Sequence, residues 1–380
     1  MDFNPTAEQR MMVDACRRVV DRELQPMLDA HPADRPLPKD AATAILRSLA
    51  TLGLTAARLP VDAGGSGMSA VDYGLMCEQL PPSVVFLLLP QETTITRIHH
   101  GCSDEQREVL LPKLVSAELV TCTAATEPDV GSDPRGVRTR VREERGSLVL
   151  NGRKLWISNA TISDIVNVTC IDEADRLVRV LVDRRESAFD AAEIRVSGLR
   201  QCHLGELAFH DCRVPLANKL GDRGDAARVL TLTWLANRPL IGLCAVHLAQ
   251  RAFDAARRYA LDRRQFGKAI GSFQLVQERL ADIETAIVTS RLACYHALAT
   301  IDRGERANGP SAMAKRYAVA SCERAIALAM QIHGSMGLSE ELGLEQMARD
   351  ARMLSIPDGT PEILTLIQGR EITGLDAFRS

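Results

Sequence analysis

The chain has 380 residues, 46% of them hydrophobic and 25% charged, and a formal net charge of −3. That length suits two or three domains with ample core, and the charge offers no basic field for nucleic acid. Its ten cysteines include no C-x-x-C pair. Zinc and thioredoxin-type chemistry are therefore not expected, no metal site is assigned, and most cysteines read as small buried residues of a reduced, cytoplasmic protein. The opening Met1-Asp2-Phe3-Asn4 has no signal pattern, and no uncharged apolar run approaches the roughly 18 residues of a membrane span.

Residues 1–120 read as an N-terminal α-helical domain. Thr6 and Gln9 form a capping box ahead of Met11, Met12 and Val13. The stretch from Ala41 to Leu52 is periodic and stops at Gly53. A glycine-rich loop, Asp62 to Gly67, matches no dinucleotide fingerprint. Further helices are predicted from Ala70 to Leu80 and from Asp104 to Leu114, the latter capped by Ser103.

Residues 121–225 read as a middle β-domain, a small barrel or sandwich. Val137, Thr139 and Val141 alternate with arginines, and Leu148-Val149-Leu150 meets Asn151-Gly152, a tight-hairpin signal. Strand-like runs follow at 155–158, 165–171, 177–183 and 207–210.

Residues 226–380 read as a C-terminal four-helix bundle. One helix is predicted from Arg238 to Asp262, and another runs through Ile301 with Ser272 as its cap. Gly309 and Pro310 break the pattern, so Ser311 is expected to cap a helix to about Met336; a last helix spans Pro361 to Ile372. The fold class is α+β, mainly α.

Five motifs stand in this order: Ala125-Thr126-Glu127-Pro128-Asp129-Val130-Gly131-Ser132-Asp133; Leu155-Trp156-Ile157-Ser158-Asn159; Arg263-Arg264-Gln265-Phe266-Gly267 with Phe273-Gln274; Gln331-Ile332-His333-Gly334; and Ser355-Ile356-Pro357-Asp358-Gly359-Thr360-Pro361-Glu362. Together they make the chain resemble the acyl-CoA dehydrogenase family over essentially its full length. The resemblance implies the fold just described and an FAD-dependent oxidoreductase acting on CH–CH groups. It implies that Thr126, Trp156 and Ser158 contact the flavin ring. It also implies that Arg263, Phe266 and Gln274 reach the FAD of a neighbouring subunit, because a guanidinium fork suits a pyrophosphate. Gln331 and Gly334 would line the path of the adenosine diphosphate part, with Thr360 and Glu362 completing the cofactor contacts. Ser132 and Arg238 would meet the acyl substrate. His333 reads as structural.

By the same resemblance the catalytic base falls at Asp358, where relatives usually carry Glu. It would abstract the α-proton of a thioester while the β-hydride goes to flavin N5. Between an apolar run and a Gly-Thr turn a carboxylate can be desolvated and so made more basic. Asp reaches about 1.5 Å less far than Glu, and Pro357 stands where relatives often have an aromatic, so a changed loop and a short, branched or unusual acyl group are expected. Some branches carry the base just before the Arg-Pro pair; that position here is Asn237. Related chemistries stay open: a nitroalkane-oxidase-like, reductase or desulfinase activity, a carrier-protein-bound acyl group, or a catalytically silent flavin-binding protein. The implied partners are an acyl-CoA or acyl-carrier substrate, an electron-transferring flavoprotein, and further copies of the chain in a homotetramer or homodimer.

Overall fold

A computed structural model describes residues 4–133, 136–221 and 225–377. The first part is helical: α1 (Ala7–Val19), α2 (Gln25–Asp29), α3 (Lys39–Thr51), α4 (Ala70–Gln79), α5 (Pro82–His99) and α6 (Asp104–Val115). The capping boxes at Thr6/Gln9 and Ser103/Gln106 both form, and Gly53 ends the α3 region in the left-handed conformation, φ 73°. Helix α5 was not expected from sequence. It is buried on nearly every side, so it carries no apolar stripe, and polar residues Gln91 to Thr94 interrupt its hydrophobic run.

The middle part is an eight-stranded sheet ordered β6-β7-β3-β2-β4-β5-β8, with β1 pairing parallel to β4. The strands are β1 (Thr121–Ala124), β2 (Arg140–Glu144), β3 (Ser147–Ser158), β4 (Ile165–Ile171), β5 (Leu177–Asp183), β6 (Asp190–Glu193), β7 (Leu204–Pro215) and β8 (Lys219–Leu220). Cys122, Leu150, Val166, Val168, Val180 and Phe209 pack its core. The hairpin expected at Asn151-Gly152 is elsewhere. β2 turns into β3 through Arg145 (φ 51°) and Gly146 (φ 77°), with Glu144 opposite Ser147. Asn151 and Gly152 lie inside β3 at a register shift against β7. An Asn-Gly pair signals permissive backbone, and a bulge uses that permission as readily as a turn.

The last part contains a short hairpin, β9 (Arg264–Gln265) and β10 (Lys268–Ala269), and helices α7 (Ala226–Asp262), α8 (Gln274–Asp302), α9 (Asn308–His333), α10 (Leu344–Met353) and α11 (Pro361–Thr373). Four boundaries differ from expectation. Arg238-Pro239 does not open a helix but sits inside α7. The cap of α8 is Phe273, while the Ser272 hydroxyl donates back to the Ala269 carbonyl. Helix α9 begins at Asn308, with Gly309 and Pro310 in its first turn, where a missing N–H costs nothing. It ends at His333, short of Met336, where Gly334 takes φ 59°. Helix α7 is long and apolar enough to cross a membrane, but 78% of its apolar window is buried. That surface is spent against α4, α5, α8 and α9. All ten cysteines are free and buried.

Candidate active site

Asp358 lies in the loop between α10 and α11 and adopts φ 53°, followed by Gly359 at 114°. A non-glycine residue in this region is sparsely populated and must be held there. Two buried cations hold it, both through backbone carbonyls. From α9, the Lys315 ammonium donates to the carbonyls of Ser355 (3.4 Å), Gly359 (2.7 Å) and Pro357. From α7, Arg238 Nε donates to the Asp358 carbonyl at 3.0 Å. Lys315 is 1% exposed. Burial pulls its ammonium down to about 7, with Asp358 opposing the fall and Arg238 adding to it. Burial likewise lowers Arg238, and Asp358 again opposes. Thr360 caps α11 by accepting from the Ile363 N–H, and Glu362 is exposed in the first turn of that helix.

Beside Arg238, Asn237 is buried and engaged. Its Oδ1 accepts from Arg58 at 3.1 Å and its Nδ2 meets Thr93 Oγ1 of α5 at 3.2 Å. Arg58 also donates to buried Glu92 through its backbone N–H, Nε and Nη2. One turn further along α5, Arg97 is 5% exposed and has an unpaired Nε. Sequence reasoning missed Lys315, Arg58, Glu92 and Arg97. The available signal for Lys315 was weak, because Arg316 and Tyr317 follow it directly and the stretch Ala312 to Val319 reads as an ordinary half-polar helix. Arg97 similarly follows Ile95 and precedes Ile98.

On the sheet, Thr126 is joined to the second motif, its carbonyl accepting from the Leu155 N–H at 3.0 Å. The register of β3 shifts between Lys154 and Ile157. Trp156 therefore takes φ 60° and stands 53% exposed, while Ile157 returns to the core. Ser158 follows, half-buried. Glu127, next to Thr126, is structural: it accepts from buried Lys154 at 2.7 Å and from the Arg138 and Thr139 N–H groups. Gly131 and Ser132 are exposed beyond it.

The remaining candidates gather at the far end of α7. Arg263 follows that helix, and Phe266 projects from the β9–β10 turn at φ 53°, 93% exposed, its edge towards Phe273. Arg263 and Gln274 are exposed. Gln331 and Gly334 come to the same end because His333 stacks on Tyr259 with centroids 4.5 Å apart. His333 is buried and bonds the Ala329 carbonyl, as a structural residue should. Arg238 sits inside α7 and Arg263 caps its C-terminal end 25 residues on, hence about 37 Å away. The structure thus groups Asp358, Arg238, Thr360 and Glu362 at one place, Thr126, Trp156 and Ser158 at a second, and Arg263, Phe266, Gln274, Gln331 and Gly334 at a third.

These residues fit FAD. Trp156 is an exposed flat ring on the same strand as the Ser158 hydroxyl, suited to an isoalloxazine. Among the described residues no carboxylate pairs with Arg263, which leaves its fork for a pyrophosphate.

The three domain models of the acyl-CoA dehydrogenases match this chain: N-terminal domain over residues 6–118, middle domain over 122–212 and C-terminal domain over 227–373. The chain is 32% identical to a cyclohex-1-ene-1-carbonyl-CoA dehydrogenase of Geobacter metallireducens, covering 97% of this chain and 98% of that one. A solved glutaryl-CoA dehydrogenase from Mycobacterium smegmatis superposes with a TM-score of 0.90 at 30% identity, covering 99% of this chain and 97% of that one. An FAD complex of PigA superposes with a TM-score of 0.91 at 25% identity, covering 98% and 99%. The family consists of FAD-dependent oxidoreductases acting on CH–CH bonds, and with all three of its domain models matched in order over a shared three-part architecture, this chain belongs to the acyl-CoA dehydrogenase family.

Proposed function

We propose that this protein binds FAD and dehydrogenates an acyl thioester between its α and β carbons, with Asp358 as the base. The observation that carries this reading is the clamped loop. Lys315 takes the carbonyls of Pro357 and Gly359 on either side of Asp358, and Arg238 takes the carbonyl of Asp358 itself. Because a peptide unit points its C=O and N–H in opposite directions, the N–H groups of Asp358 and Gly359 turn away from the cations. A thioester oxygen placed there would be polarised and its α-proton made acidic. Asp358 takes that proton; bound FAD supplies the acceptor for the β-hydride. The other position at which the family carries a base holds Asn237, with its amide engaged.

In this reading Thr126, Trp156 and Ser158 hold the flavin ring, Thr360 and Glu362 border it, and Ser132 and Arg238 line the substrate side. The separation of about 37 Å along α7 argues that Arg263, Phe266, Gln274, Gln331 and Gly334 serve the FAD of a second copy. A homodimer or homotetramer follows. Domains dividing near residues 120 and 225, a cytoplasmic setting, and reoxidation by an electron-transferring flavoprotein belong to the same proposal.

Anaerobic titration of the purified holoprotein with acyl-CoAs of varied length, branching and polarity tests it. At least one thioester is expected to bleach the flavin, and Asp358→Asn is expected to abolish bleaching with flavin still bound. A holoprotein that no thioester bleaches would overturn the proposal.

A further inference from the structure

The seam between α5 and α7, next to the base loop, carries charge where an aliphatic acyl chain would need apolar lining. Thr93 meets Asn237, whose neighbour Arg238 holds the Asp358 carbonyl. One turn along α5, and on the N-terminal side of Asn237 along α7, Arg97 reaches the Leu230 carbonyl at 3.4 Å, a long and neutral contact. Arg97 is buried, only 5% exposed, and its Nε has no partner. No carboxylate among the described residues pairs with it. Glu92 is occupied on both oxygens by Arg58. Asp225 pairs with Arg179 and Arg228. Asp358 is the acid that most favours the Arg97 charge, without bonding it.

A buried guanidinium that bonds no carboxylate is costly, and an anion brought by a ligand would offset that cost. We infer that Arg97 receives a carboxylate at the distal end of the acyl chain, so that the substrate is a short dicarboxylic acid carried as a monothioester. This rests on the thioester dehydrogenation proposed above. One helical turn, about 5.4 Å, separates the Thr93 and Arg97 rungs and spans about four carbon–carbon bonds of extended chain. Acids of about four to six carbons match that rise, and the guanidinium fork suits their far carboxylate, which it would accept in two bonds. The chemistry balances as before. The α C–H bond gives its proton to Asp358, the β C–H bond gives hydride to the flavin, a C=C bond forms, and the distal carboxylate is unchanged. A methyl-ended chain of equal length leaves Arg97 unmatched, and is disfavoured about 100-fold.

The test uses two CoA thioesters, of a five-carbon dicarboxylic acid and of its methyl-ended counterpart. Affinities are measured by calorimetry on flavin-loaded Asp358→Asn, which binds without turnover, alone and combined with Arg97→Met or Arg97→Lys. The dicarboxylic thioester is expected to bind about 100-fold more tightly. Arg97→Met should erase that preference while leaving the methyl-ended affinity within about threefold, and Arg97→Lys should keep part of it. Equal affinities with Arg97 in place, or a preference that survives Arg97→Met, overturns the inference. If Arg97→Met does not fold, the two affinities with Arg97 present decide. An anionic preference in a wild-type protein that turns over neither thioester supports Arg97 while removing the dehydrogenase reading. Turnover of both without preference does the reverse.

Discussion

Lys315 ties the Asp358 loop to α9 by three carbonyls, and an ammonium has three N–H groups to offer them. Its deprotonation near 7 leaves two, and removes a positive charge beside the base. We expect kcat to fall along an alkaline limb starting near 7. In Lys315→Met that limb should vanish, with kcat about 10- to 100-fold lower throughout; in Lys315→Arg it should move to higher pH. Profiles of kcat between about pH 6 and 9 check this. Stability moves in the other sense. The folded value lies below the ordinary 10.5, so between the two the unfolded chain binds more protons. The cost of burying the charge is complete below about 7 and is relieved as pH rises towards 10.5. Wild type should therefore gain stability relative to Lys315→Met over that window, measured by urea unfolding at several pH values.

Among the elements, β3 shows why local signals succeed or fail. Gly152 has φ 148°, and a Cβ there would stand 2.5 Å from Thr139 Oγ1 and 2.8 Å from Thr139 Cα. Gly152→Ala should destabilise the fold by about 1–3 kcal/mol, read as a lower urea midpoint. It should also lower flavin retention, because the same strand carries Trp156. The caps at Thr6 and Ser103 were legible because each is a contact within four residues. The motifs that hold Thr126 and Trp156 were legible as a resemblance, and the structure joins the two motifs by one backbone bond, from the Leu155 N–H to the Thr126 carbonyl. Helix α5 was hidden because burial on every side erases the period that marks a helix. Lys315 and Arg97 were hidden for a related reason: a buried charge is informative only once its partners are known, and those lie 40 or more residues away for Lys315 and 133 away for Arg97.

Across the whole molecule, the β9–β10 arm holds Phe266 out at 93% exposure, with only an edge contact to Phe273. If that ring serves a second copy's cofactor, Phe266→Ser should leave the thermal midpoint of the apoprotein unchanged. It should weaken FAD binding about tenfold or more, seen by flavin fluorescence on dilution. Unchanged retention would detach the arm from the cofactor. The base loop depends on long-range order in the same way, since its two clamps come from α7 and α9, so its geometry is a property of the bundle rather than of the Asp358 motif.

The most direct measurement is the rate of anaerobic flavin bleaching by a thioester carrying deuterium at its α-carbon, compared with the undeuterated compound, in wild type and in flavin-loaded Asp358→Asn. The expected result is a primary isotope effect in wild type and a rate at least about a hundredfold lower in the variant. Bleaching by Asp358→Asn at the wild-type rate would contradict the account, because the α-proton would then be leaving to some other group.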